Sequence, residues 1–314
     1  GLEIGSSVRN LQECIVEAAS DITVQTSMLE ARRIVGEPSL FAAFSQGFHK
    51  HLEPRAFFTG KTLEMQQRHT KFANTPYSLE PNCKESPGGL RDLQMLLWLA
   101  KASGLGESWK DLADHQMVTP LEMRQLQRNE DVLSLVRWRL HYIAQRREDR
   151  LVFDLQSALG LRLGLGLNPD GSTHARQASE ALMKRYYWAA KAVTQLNQIV
   201  LLNIEEALYA RTHQAQRPMT PINDRFFDRS GLIEVVDDDL YLREPQAILE
   251  TFLLYQKTVG ITGFSARTLR ALYSARPIMN AKFRNDPVNR ETFMSILKFP
   301  EGITHAMRLM NQTS

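Results

Sequence analysis

Along most of the chain, apolar positions recur every three or four residues, and this period predicts a mainly helical protein. Leu11, Ile15, Ala18 and Ala19 share one helix face. Leu40, Phe41, Phe44 and Phe48 mark a second helix that breaks at Pro54, and a third covers Lys61 to Phe72. Leu90, Leu93, Leu96, Leu97 and Ala100 predict a helix running to Ala102. Thr119-Pro-Leu-Glu122 is a capping box with proline at the first helical position. Two helices follow it, one through Gln127 and one from Glu130 to Arg147. Asp154 is placed to cap a helix through Leu165, and Asn168-Pro-Asp-Gly171 reads as a turn. The longest helical segment is His174–Ala210, with an apolar stripe through Leu182, Tyr186, Val193, Leu196, Val200 and Ile204 that is read as core packing. Pro245 opens another helix, and two more lie near Ala266–Ala275 and Val288–Lys298. Alternating residues predict a strand over Leu2–Arg9. Leu232–Val236 and Leu240–Leu242, flanking three aspartates, predict a short hairpin near 232–242.

Composition narrows this picture without redirecting it. The chain has 314 residues, 43% of them hydrophobic and 23% charged, values suited to one large or two medium globular domains. A formal net charge of +3 does not call for a nucleic-acid partner. No apolar run approaches membrane-spanning length, so no membrane association is expected. The two cysteines, Cys14 and Cys83, give neither a disulfide framework nor zinc spacing, which suits a reducing cytoplasm. Arg137, Arg139, Arg146, Arg147 and Arg150 form a basic face that would reach a triphosphate or an acidic patch on a partner or, more simply, stay solvated and pair with residues such as Glu148 and Asp149. His49, His51 and His69 do not read as a metal site, since His49 and His51 do not share a helix face and no acidic residue completes a set.

The stretch richest in chemistry is Glu80-Pro-Asn-Cys-Lys-Glu-Ser-Pro-Gly-Gly-Leu-Arg-Asp-Leu-Gln94. Pro87-Gly88-Gly89 must be a loop, and it runs straight into a helix start. Free N–H groups and the positive end of the helix dipole suit an anion there, and Lys84 and Arg91 add charge. Gly88, Gly89, Lys84 and Arg91 are therefore candidate phosphate-binding residues. The plainer alternative is an ordinary loop with Arg91 structural, paired with a carboxylate.

The string KESPGGLRDLQ resembles the segment that follows the nucleotidyltransferase domain in the bacterial PII-protein uridylyltransferase/uridylyl-removing enzymes. GLEIGSSVRNLQECIVEAASDITVQTSMLEARRIVG upstream, and ALMKRYYWAAKAVTQLNQ and GITGFSARTLRAL downstream, are similar to the same family, so the likeness covers nearly the whole chain. It implies a domain end at 1–75, the C-terminal part of a polymerase-β-like nucleotidyltransferase domain, and a helical domain over 76–314 with the hairpin. The implied fold class is mainly α with a small β remnant. The implied activity is transfer of UMP from UTP to a tyrosine of the PII protein, with Mg2+, and its removal.

By the same resemblance, Glu30 in Met28-Leu-Glu-Ala-Arg-Arg-Ile-Val35 matches the strand position of the third metal-binding carboxylate, the plainer reading being a surface pair with Arg32 or Arg33. The Gly-Ser…Asp-x-Asp signature that supplies the other two does not occur, and no histidine is followed directly by aspartate as in the family's phosphohydrolase site. With the opening Gly1-Leu-Glu-Ile, this reads as a central piece that is inactive alone. The alternatives are a glutamine synthetase adenylyltransferase-type helical domain and a non-catalytic scaffold for PII.

Overall fold

The structure, a computed structural model, describes residues 5–166, 174–210 and 219–313. The predicted turn at Asn168–Gly171 and the first three residues of the predicted strand at Leu2 lie outside the described residues. Helices dominate, with one small sheet, as the hydrophobic period predicts. The chain forms two compact units, 1–190 and 191–314.

The first unit contains α1 (Leu11–Ser20), α2 (Ile22–Leu29), α3 (Pro38–His51), α4 (Pro54–Lys71), α5 (Leu90–Ala102), α6 (Trp109–Asp114), α7 (Pro120–Ala144), α8 (Phe153–Arg162) and the start of α9 (Ala175–Ala210). Local signals set most starts. Asn10 and Glu13 form a capping box on α1, and the Asp21 carboxylate accepts from Thr23 N and Val24 N at the head of α2. Prolines occupy the first turn of α3, α4 and α7, where a missing N–H costs nothing. Gly5–Arg9 is not a strand. Met28 and Leu29 end a helix whose inward face carries the buried Thr26 and Leu29, instead of starting a strand.

Three further boundaries differ from the pattern reading. The two helices expected after Thr119 are one 25-residue helix, because Leu126, Leu133, Val136 and Leu140 continue a single buried stripe with no breaker between them. α8 starts at Phe153, whose N–H donates to Glu80 Oε1 (2.9 Å), so Asp154 lies inside the first turn. α8 also ends earlier, at Arg162.

Helix α5 is buried along most of its length: Leu93, Leu96, Leu99 and Ala100 have no exposure, and it packs on α2, α4 and α7. Burying each such leucine stabilises the fold by about 1.5–3 kcal/mol. α8 meets α9 through Gly160, where an added Cβ would lie 2.4 Å from the Ala178 carbonyl oxygen. Alanine is the better helix former by about 1 kcal/mol. Gly160→Ala should nevertheless lose about 1–3 kcal/mol in urea unfolding, because the obstruction is backbone and cannot rotate away. A gain in stability would mean that the two helices separate freely.

The second unit holds the rest of α9, then β1 (Met219–Pro221), β2 (Phe226–Arg229), β3 (Leu232–Val235), α10 (Leu240–Arg243), α11 (Ala247–Lys257), β4 (Gly263–Phe264), α12 (Ala266–Ala275), α13 (Ala281–Asn285), α14 (Pro287–Lys298) and α15 (Ile303–Thr313). The sheet order is β1-β2-β3-β4, antiparallel except for the parallel β3–β4 pair. The hairpin is therefore β2–β3. It turns at Ser230-Gly231, both at positive φ as a two-residue loop requires.

Leu240–Leu242, expected as the second hairpin strand, is helical instead. Asp239 N donates to Asp237 Oδ1, and the turn places Leu240 and Tyr241 in the core, with Tyr241 and Thr251 sharing a 2.7 Å hydrogen bond. Thr268 Oγ1 donates to Ile233 O and accepts from Val235 N, tying α12 to β3. Phe226, Ile233, Val235, Ile248, Phe252 and Phe264 form the centre of this core.

Candidate functional site

The turn between Pro81 and α5 is built from its own side chains. Asn82 Oδ1 accepts from Lys84 N (3.0 Å) and Glu85 N (2.8 Å), and Ser86 Oγ accepts from Asn82 N (3.0 Å). Such local bonds hold a turn without help from a sheet. Gly88 has φ +75°, which glycine adopts without strain. Gly89 is needed for a different reason: a Cβ there would meet the carbonyl oxygens of Lys84, Ser86 and Cys83 at 2.8–3.0 Å. From the far side, Cys83 N donates to Asp149 O and Leu151 N to Pro81 O, around an antiparallel bridge between Asn82 and Arg150. Burial, helped by the Asp149 charge, pushes the Cys83 thiol up to about 12, so it stays an unreactive core group.

The helix start is positive, as the glycine turn suggests, but the anion that answers it belongs to the chain. Asp92, at the third position of α5, has no solvent exposure. Its carboxylate accepts from Gly88 N (2.7 Å) and Arg68 Nη2 (2.6 Å), and His69 Nε2 lies 2.9 and 3.1 Å from its two oxygens. The neighbouring donors are engaged too: Gly89 N with Ser86 O, Leu90 N with Cys83 O and Arg91 N with Lys84 O. An external phosphate therefore finds no free backbone N–H here, and any contact with it falls to side chains. Burial would raise the Asp92 pKa; the hydrogen bonds and charges of His69 and Arg68 outweigh it and hold the carboxyl below the usual carboxylate range.

Those side chains are Lys84 and Arg91, both partly exposed. They converge on Glu85: Lys84 Nζ lies 3.5 Å and Arg91 Nη2 3.3 Å from its Oε1. Arg68, fixed by Asp92, approaches the other Glu85 oxygen at 3.8 Å. Arg91 also bonds Gln94 Oε1 and lies over the Trp98 ring, which Lys61 shares. Lys84 adds its charge to the field of Asp149, whose carboxylate accepts from Arg137 Nε (2.6 Å) and stands 2.9 Å from His141 Nε2. Glu85 thus stands between Lys84 and Arg91, while Arg68 is already paired with Asp92.

Glu30 is not part of this cluster. It caps the C-terminus of α2, is exposed, and has Lys101 Nζ as its nearest ion partner at 3.9 Å. Lys101 follows Arg91 by ten residues on α5, which puts the two about 15 Å apart along the helix axis. The structure thus gathers Lys84, Gly88, Gly89 and Arg91 into one turn and leaves Glu30 at the opposite end of α5. Among the described residues no three His, Cys, Asp or Glu converge to hold a metal ion. A lysine beside Glu30 is also the wrong charge for a magnesium site. The residues described here do not fit the metal on their own.

The remaining candidates resolve into packing and pairing. Arg137 and Arg147 approach Asp149, Arg146 pairs with Glu148, and Arg150 with Glu80. Four of the five arginines on the basic face of α7 and its following turn thus have a carboxylate within reach. His49 and His51 bond carbonyls one turn back, of Ser45 and Gly47. Sequence reasoning missed Arg68, Asp92 and Asp149 as the groups that hold the turn. The signal for Asp92 was present, an acid three residues into a helix that follows a glycine turn. Nothing local marks Arg68, which lies 24 residues upstream of its partner.

Residues 56–201 match the family described as GlnD PII-uridylyltransferase, and residues 226–314 match the uridylyltransferase GlnD third domain. Proteins named bifunctional uridylyltransferase/uridylyl-removing enzyme are similar along 100% of this chain. Those from Burkholderia lata, Burkholderia orbicola and Cupriavidus pinatubonensis are 59%, 58% and 56% identical to it. The chain spans 35–36% of the length of these relatives. No solved structure matches. Two models of one family, matched in order across most of the chain, together with this level of identity, establish that the chain belongs to the GlnD PII-uridylyltransferase family.

Proposed function

We propose that this chain is the central part of a bifunctional enzyme that transfers UMP from UTP to a tyrosine of the PII protein and removes it again, in the cytoplasm. One observation supports this above the others: relatives named bifunctional uridylyltransferase/uridylyl-removing enzyme align with every residue of the chain. In this reading the helical first unit is the rigid frame beside the nucleotide cleft. Its Asp92-centred turn, shaped by Gly88 and Gly89, carries Lys84 and Arg91 toward the triphosphate. A divalent metal would shield phosphate charge in such a transfer. The described residues supply no complete site for it, and we route no step through it. The boundary between a nucleotidyltransferase end at 1–75 and a helical domain from 76 belongs to the same proposal.

The direct test incubates the full-length protein with labelled UTP and purified PII. Label should appear on a PII tyrosine, and its absence would overturn the reading. The assignment of Glu30 as a catalytic carboxylate rests on the resemblance alone. Glu30→Gln in the full-length enzyme should remove most transfer if that assignment holds, without altering the melting temperature. Near-normal turnover would make Glu30 a surface partner of Lys101.

A further inference from the structure

Among the described residues, the second unit carries a pair of cations with no acid to answer them. Lys191 and Gln195 are one helical turn apart on α9 and so share a face. Arg276, just after α12, reaches this face: its Nη1 donates to Gln195 Oε1 (2.9 Å). Its Nε donates to Tyr273 O (3.0 Å), and its guanidinium lies 3.6 Å from the centre of the Tyr273 ring. Two bonds and a stacked ring fix its plane and leave Nη2 without a partner among the described residues. No carboxylate lies within ion-pair distance of Lys191 or Arg276 among the described residues, whereas Arg225, Arg229, Arg243 and Arg267 of this unit each have one.

A second observation points to the same place. Gln195 is 5% exposed, and its Nε2 has no hydrogen-bond partner among the described residues. The amide cannot be turned over to cure this, because its oxygen is held by Arg276. A buried, unmatched donor is costly and calls for an explanation, of which a bound water or ion is one. Burial, and then the Arg276 charge, push the Lys191 ammonium below its usual pKa, as expected for two cations brought together without a counter-ion.

We propose that Lys191, Gln195 and Arg276 form an oxyanion site for a phosphoryl group, separate from the turn that carries Lys84 and Arg91. Three donors on two elements, a point charge, a planar fork and an amide, suit a ligand with several oxygens better than a two-oxygen carboxylate. The ligand class is inorganic phosphate or an exposed phosphate of a nucleotide. The proposal does not depend on the transfer activity.

The test is thermal unfolding of the full chain with and without inorganic phosphate, with acetate at matched ionic strength as the control. Phosphate should raise the melting temperature and acetate should not. Lys191→Met keeps the aliphatic stem and removes one of two facing charges. It should raise the melting temperature in the absence of phosphate and weaken phosphate binding at least about tenfold, the size of one lost charge-assisted contact. Arg276→Gln should weaken binding by as much or more. If either variant fails to fold, titration of the other by calorimetry still decides the question. A phosphate effect undiminished in a folded variant, no phosphate effect in the unaltered chain, or an equal effect of acetate would each overturn the proposal.

Discussion

Asp92→Ala is expected to cost about 3–5 kcal/mol, enough to unfold much of the first unit, since it removes one partner of a buried ion pair. The carboxylate is fully buried and serves three groups at once: Arg68 on α4, His69 beside it, and the Gly88 N–H of the turn. Its loss leaves a largely buried guanidinium with only the longer 3.8 Å approach to Glu85, and an unmet backbone donor at the head of α5. Asp92→Asn should be milder, because one oxygen can still accept from Gly88 or Arg68. Urea unfolding of the two variants, read by circular dichroism, gives both numbers. A loss under 1 kcal/mol for the alanine variant would show that water enters and replaces the carboxylate.

The same residue gives a pH signature. Asp92 has a lowered pKa in the folded chain, so its contribution is fully present above its unfolded value of about 3.9 and is lost as pH falls through the lower folded value. Asp92→Asn should flatten this acid limb of the stability curve.

Lys84→Ala and Arg91→Ala should behave in the opposite way, with large kinetic effects and small structural ones. Both side chains sit in the turn that Asp92 holds, and both contact Glu85 at part-exposed distances of 3.3–3.5 Å. Solvent-screened pairs of this kind stabilise by at most about 1 kcal/mol. A charge-assisted contact to a phosphate oxygen is worth about 1.5–3 kcal/mol. In the full-length enzyme, either substitution should therefore lower kcat/KM for UTP about tenfold to a hundredfold, with the melting temperature nearly unchanged. Glu85→Gln frees the two cations and should tighten UTP use if they meet the triphosphate. A strong fall in melting temperature for Arg91→Ala with unaltered kinetics would assign Arg91 to the frame, through Gln94 and Trp98, and remove it from the nucleotide site.

How much of this could be read before folding depends on the range of the interaction. Helix content, the capping boxes at Thr119 and Asn10, proline-led starts and the glycine turn before Leu90 are decided by contacts within four residues, and the chain order already states them. The Glu80–Gln94 stretch could likewise be recognised as a positively ended helix start. The identity of its anion could not, because Asp92 had to be buried by α4 before its carboxylate preferred Gly88 and Arg68 to water. Glu30 shows the same limit from the other side. A short amphiphilic stretch is compatible with a strand or a helix, and Asp21 capping together with packing of α2 against α4 and α5 chose the helix.

The hairpin was misplaced for a related reason. Leu232–Val235 is a strand on its own pattern, but its partners are chosen by the sheet. Phe226–Arg229 pairs with it across a two-residue turn, and Gly263–Phe264 joins it in parallel some thirty residues later, while Leu240–Arg243 turns helical to bury Tyr241. Period and caps are properties of neighbouring residues and survive in a linear reading. Burial of a charge, choice of a strand partner and the meeting of Lys191 with Arg276 depend on which surfaces lose water together, and only the folded chain sets that.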